Sequence, residues 1–167
     1  MTPAMILNIH LALGYVPWLL CFAAYIWPRL RSMEPLEAQR AIATLHSFRF
    51  FGLVFLIPGI TGPDLPAGFA AFAAYGDFAT GLLAMLALFA VARPAIFWPS
   101  VVAFNLVGVV DLVGDYYHGV TLDLPGHAGQ LGATYAIPIL YVPLLMITHV
   151  AAFYLLARSR RHQLAAT

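Results

Sequence analysis

Hydrophobic positions along this chain come in long runs. They neither alternate with polar ones at the period of a strand nor keep to a single helix face. Five runs, at roughly 4–27, 41–60, 68–92, 95–117 and 131–157, each reach the ~20 residues that a helix needs to cross about 30 Å of hydrocarbon. Only a helix or a closed barrel satisfies every backbone polar group in lipid, and runs this long are helical. Proline punctuates the boundaries, with Pro28, Pro35, Pro63, Pro66, Pro94 and Pro125 all falling where a helix should start or stop. The pattern predicts an all-α integral membrane protein, a bundle of five transmembrane helices forming a single domain over 1–167. It contains no internal repeat, low-complexity tract or linker.

Composition sharpens this reading by exclusion. Hydrophobic residues make up 62% of the 167 and charged residues 9%, against about a quarter charged in an ordinary soluble domain. Mean hydropathy is +0.87. A water-soluble fold, a disordered chain and a nucleic-acid binder are all disfavoured, the last also by a net charge of +1. All eight basic residues are arginine. With no lysine, a lysine Schiff base and a phosphate-binding P-loop are excluded. The one cysteine, Cys21, excludes an internal disulfide and a CxxC redox pair. The first run lacks a basic n-region and is longer than a signal peptide's apolar core, so it reads as a retained anchor.

Arginine placement predicts the orientation. Arg29, Arg31 and Arg40 flank the first connection, Arg93 lies in the third, and Arg158, Arg160 and Arg161 follow the last run. The connections 61–67 and 118–130 contain none. By the positive-inside rule the N-terminus faces outward and the C-terminus lies in the cytoplasm, in the plasma (inner) membrane. Trp27 and Trp98 then fall at the inner interface, with Tyr116, Tyr117 and Tyr135 at the outer one. The lipid bilayer is the first expected partner.

Ionisable residues at membrane depth are costly and normally face a partner or a wet cavity. At about 1.5 Å rise per residue, His46 and His149 lie about 9 and 12 Å below the inner surface, with Arg49 one turn beyond His46. Asp77 and Asn105 fall nearer the midplane. His10, Asp111 and Asp115 lie toward the outer side. Helical spacing puts Asn105, Gly108, Asp111, Asp115 and His118 on one face of the fourth run. Asp77, Thr80, Gly81 and Ala84 share a face of the third, and His10, Gly14, Pro17 and Cys21 a face of the first. Small residues on these faces favour close helix approach, so all three are expected to point into the bundle.

Several chemistries suit this column. His46 and His149, on different spans at matching depth, are candidate axial ligands for a haem b, with Arg49 meeting a propionate; electron transfer to a quinone or partner protein would follow. Each histidine equally suits a hydrogen bond between helices. Arg49 and Asp77 read as a buried ion pair or as a clamp for an anionic group. Asp111 and Asp115, four residues apart, repel when both are ionised. With His10 they form a candidate proton pathway or a site for a cationic head, unless His10 and Asp111 simply pair. His118, Asp123 and His127 are possible metal ligands in the outer loop, which its glycines make a candidate lid. Pro138 and Pro143 predict a kink widening a cavity above His149. Phe48, Phe50, Phe51 and Phe55 flank a flat cofactor, face lipid or fill the core. No acylating nucleophile, phosphate loop or catalytic carboxylate pair is defensible. The expected function is binding of a lipophilic ligand or cofactor within the membrane. Haem b is the named cofactor, and the alternatives are a non-haem binder or permease subunit and a proton-coupled transporter or enzyme. A homo-oligomer is compatible with all of these.

Size, five spans and an outward N-terminus resemble the arrangement of the tryptophan-rich sensory proteins that bind porphyrins and sterols. The tryptophan density of that family is absent here, Trp18, Trp27 and Trp98 being the only three, and no residue role carries over.

Overall fold

The computed structural model describes residues 1–165, with side chains as far as Ser159. Arg160 and Arg161, counted above among the inner cations, lie outside the residues whose side chains are described. All extended regular elements among the described residues are helical. Helix α1, Pro3–Cys21, starts at Thr2, whose Oγ1 accepts from the Met5 N–H at 3.2 Å. It continues through a π turn, Phe22–Ile26, into α2, Trp27–Ser32. Helix α3, Pro35–Ser47, runs into a 3₁₀ segment, Phe48–Leu56. Two long helices follow, α4 at Ala67–Phe89 and α5 at Pro94–Thr121. A second 3₁₀ segment, Ala128–Tyr135, and a π turn, Ile137–Tyr141, lead into α6, Val142–Ala165. Among the described residues four stretches are long and apolar enough to cross a membrane: Pro3–Ser32, Ala67–Phe89, Pro94–Thr121 and Ile137–Ser159. The protein is an all-helical membrane protein.

The second expected run is the one built differently. In place of one long α-helix over 41–60 there is a short amphipathic helix followed by nine residues of 3₁₀ helix. Three residues per turn puts i, i+3 and i+6 in line. Arg49, Gly52 and Phe55 accordingly form the buried row, while Phe48 and Phe51 are exposed. This row lies tightly along α4. A Cβ on Gly81 would stand 2.9 Å from the Phe50 nitrogen, closer than real side-chain carbons come to backbone. Of the four phenylalanines weighed as cofactor flanks, Phe55 is in the core and the other three are exposed.

Helix α1 is peripheral. Only Leu7 and Gly14 of it are buried, so the His10–Gly14–Pro17–Cys21 face does not point inward as expected; His10 and Pro17 are exposed. The contact is made instead by backbone. Pro143 has no N–H to offer the Ile139 carbonyl, and that carbonyl lies against Gly14, where a side chain would collide with it. One residue further on, the Leu140 carbonyl accepts from the Trp18 indole N–H at 2.7 Å. Pro143 thus frees the Ile139 carbonyl that α1 covers at Gly14.

Two apolar cores result, separated by a polar layer. One gathers Phe22, Ile42, Phe97, Val101 and Phe104 with the alanines of α4 and α6. The other gathers Leu7, Phe55, Phe69, Leu112, Leu131 and Leu145. Over the second, the connections are tied together: Gly62 N–H donates to Gln130 O at 2.7 Å, Asp64 N–H to Gln130 Oε1 at 3.3 Å and Ala133 N–H to Ile60 O at 3.3 Å. Replacing Gly81 with Val is expected to push α4 away from the 3₁₀ segment. It should cost about 1–3 kcal/mol, the usual range for overpacking, as a lowered midpoint in thermal unfolding of the detergent-solubilised protein.

Candidate functional site

Among the described residues Arg49 is the largest side chain with no exposure at all. Its Nε donates to Asp77 Oδ1 at 2.5 Å, its Nη2 to Asp111 Oδ2, and its Nη1 to the Gly108 carbonyl at 3.4 Å. The guanidinium thus joins the 3₁₀ segment to α4 and α5. Glycine opposite each partner makes room: an added Cβ would strike Asp77 at Gly52, Asp111 at Gly76, and both His149 and Arg49 at Gly108. The pairing of Arg49 with Asp77 was legible from depth. The second carboxylate was not, because at helical spacing Asp111 pointed as readily toward His10.

A hydrogen-bond chain leaves Arg49 toward α6. Arg49 Nη1 stands 3.3 Å from His149 Nε2 and can only donate, so Nε2 accepts. His149 therefore carries its proton on Nδ1 and donates to Asn105 Oδ1 at 2.8 Å, and Asn105 Nδ2 donates to Val101 O at 2.8 Å. His46 Nε2 meets Thr148 Oγ1 at 3.0 Å. The Thr148 hydroxyl proton is directed to the Leu144 or Leu145 carbonyl, so His46 is the donor in that pair and its Nδ1 is a buried acceptor without a partner. Gln39, one face-repeat before His46, donates to the Ala152 carbonyl at 3.0 Å. Sequence reasoning missed Thr148 and Gln39; their spacing from His149 and His46 along the same helices was the available signal.

This geometry does not fit a haem between His46 and His149. An imidazole nitrogen holds a metal at about 2 Å, so two axial ligands stand end to end with the porphyrin between them. Here the ring centroids are 4.0 Å apart with 36° between planes. Both nitrogens of His149 and one of His46 are already engaged. Among the described residues no group of three or more His, Cys, Asp or Glu is placed to hold a metal ion. In the connection after α5, His127 Nδ1 meets the Asp123 carbonyl at 3.0 Å, and on α5 the His118 ring lies 4.4 Å from that of Phe72, tilted by 50°.

His10 does not join the carboxylates. Its Nδ1 meets the Tyr135 hydroxyl at 3.0 Å at the edge of the bundle, because α1 is held by Gly14 and not by its polar face. Asp111 is taken by Arg49. Asp115, one turn along α5, is left with Oδ1 buried and without a hydrogen-bond partner, as is Asp111 Oδ1. Next to Asp115, Tyr116 and Tyr15 share a hydroxyl–hydroxyl contact at 2.8 Å.

Asp115 opens onto a cavity of about 90 Å³. Its walls come from α1 (Leu7, Leu11), Phe55, α4 (Phe69, Ala73) and the π turn (Ile137, Pro138). Asp77 and Asp115 are its two carboxylates, and Tyr116 and Asn8 its other polar residues. Asn8 and Val120, both exposed, mark the opening. Pro138, in the π turn, forms part of one wall, beside Asp115 and not above His149.

Residues 6–157 match the family described as Domain of unknown function (DUF8737), and the chain belongs to that family. No curated protein and no solved structure matches it. Replacing Arg49 with Leu would leave Asp77 and Asp111 buried without a cation, at an expected cost of about 3–5 kcal/mol. Converting all three to leucine should recover most of that loss, because a buried ion network replaced as a unit by apolar residues is often neutral. Unfolding midpoints in detergent check both.

Proposed function

We propose that this member of the DUF8737 family is an integral protein of the plasma (inner) membrane that binds a lipophilic small molecule in the cavity beside Asp115. One observation carries the reading: an apolar cavity is lined by Asp115, one of whose carboxylate oxygens is buried without a hydrogen-bond partner in the protein. Burying a polar group without a partner costs about 1–3 kcal/mol, and a ligand bearing a donor would remove that cost. The volume, about 90 Å³, is below the roughly 150 Å³ that holds a benzene ring. A polar head and its first carbons would occupy it, with the remaining tail leaving past Asn8 and Val120 toward lipid.

Five crossings remain the preferred topology. Helix α3 with 13 residues and the 3₁₀ segment with nine would together extend about 37 Å at ~1.5 and ~2.0 Å per residue. That exceeds the ~30 Å of the hydrocarbon, so a second crossing through this segment is geometrically sufficient. With it, the arginine-free connections at 61–67 and 118–130 face outward and the N-terminus lies outside. The cavity then opens on the outer half. The interlocked histidines support a packing role, not electron transfer.

Two experiments test these readings. In a Cys21→Ala background, Asp64→Cys is expected to react with a membrane-impermeant maleimide in intact cells, and Arg31→Cys only after permeabilisation; the reverse pattern overturns the orientation. For the cavity, Gly119→Leu is the informative change. A Cβ at Gly119, on the cavity wall, meets only Leu124, at 3.7 Å, so the added side chain grows into free space. Its own melting temperature should not fall, since leucine is favoured over glycine in a helix by up to about 1 kcal/mol. Thermal stabilisation by octanol or octylammonium is expected to weaken at least tenfold in apparent affinity. Unchanged stabilisation overturns the cavity as the binding site.

A further inference from the structure

The cavity reading leaves the ligand's head group open, and the charges around Asp115 narrow it. Arg49 offers one positive charge, and it is shared between Asp77 and Asp111 through separate nitrogens. Asp115 stands four residues from Asp111 on the same face of α5, so the layer holds three carboxylates against one guanidinium. One oxygen of Asp111 and one of Asp115 are buried with no partner. Among the described residues, those that line the cavity with Asp115 supply no second cation: Leu7, Asn8 and Leu11 come from α1, Phe69, Ala73 and Asp77 from α4, and Ile137 and Pro138 from the π turn. His118, one turn along α5, turns its ring onto Phe72 and is not part of the cavity wall. The Tyr116 hydroxyl is engaged with Tyr15.

An ionised carboxylate is an acceptor only, and in a low-dielectric site a cation satisfies it better than a neutral donor does. Resting on the cavity reading, we infer that the ligand is a lipophilic amine, held through its ammonium by Asp115 with its hydrocarbon in the apolar part of the cavity. On this assignment fatty acids and other anionic amphiphiles do not bind, since their carboxylate would face acceptors and not a cation. The three tests of charge sign, head-group position and cavity occupancy are separable because Asp115, the head group and Gly119 can each be varied alone.

The experiment uses the full chain in detergent or nanodiscs with three probes of equal length: octylammonium, octanol and octanoate. Binding is read by calorimetry and by thermal shift. Octylammonium is expected to bind at least tenfold more tightly than octanol, with no stabilisation by octanoate. Asp115→Asn should bring octylammonium to the level of octanol, and Gly119→Leu should weaken both. Equal binding of octanol and octylammonium to the wild type overturns the amine assignment and leaves the cavity reading intact. A preference for octylammonium that survives in Asp115→Asn places the cation elsewhere and overturns it as well. If no probe binds, the cavity reading fails and the amine with it. The wild-type series decides the matter even if Asp115→Asn does not fold.

Discussion

A guanidinium with no access to solvent, held in a bundle whose outer faces are hydrocarbon-like, is the constraint on which the rest of the structure depends. The Arg49 guanidinium cannot reach water, so its five N–H donors have to be met from within. Asp77 of α4, Asp111 and the Gly108 carbonyl of α5, and His149 of α6 supply four acceptors for them. The length of the side chain then sets the spacing of the surrounding helices. Glycines at 52, 76 and 108 let backbone come close enough for that spacing to be reached.

Proline acts at a second level, by uncoupling carbonyls from their own helix. The Ile139 and Leu140 carbonyls are turned outward near Pro143, and α1 binds there through Gly14 and Trp18. This explains why a helix with two buried residues is still attached at a defined position. Ile137 and Pro138 of the π turn also line the cavity, together with Asp115.

The polar layer and the cavity are therefore consequences of one distribution of charge. The network around Arg49 is satisfied as far as one guanidinium can reach, and the carboxylate beyond its reach borders the empty space. Toward α6 the same network ends in two imidazoles packed ring to ring, with their nitrogens directed at Thr148, Asn105 and Arg49. Residues that in projection looked like a metal-binding pair are thereby locked as hydrogen-bonding partners between helices.

Membrane character, four of the five expected apolar helices and the pairing of Arg49 with Asp77 could be read from the chain itself, because hydrophobic run length and helical spacing are local properties. So could the inward face of Asp77, Thr80, Gly81 and Ala84, which the three-dimensional arrangement buries entirely. The 3₁₀ path of Arg49, Gly52 and Phe55 was not legible, since a period of three differs from 3.6 by too little over nine residues to be seen without the α4 surface it fits. Nor was the choice of Asp111 over His10 as partner, the stacking of His46 on His149, or the isolation of Asp115. Each of these depends on how far apart two helices stand and which way they are rotated. Those quantities are set by close backbone contacts at a few glycines and prolines, and they exist only once the whole bundle is assembled.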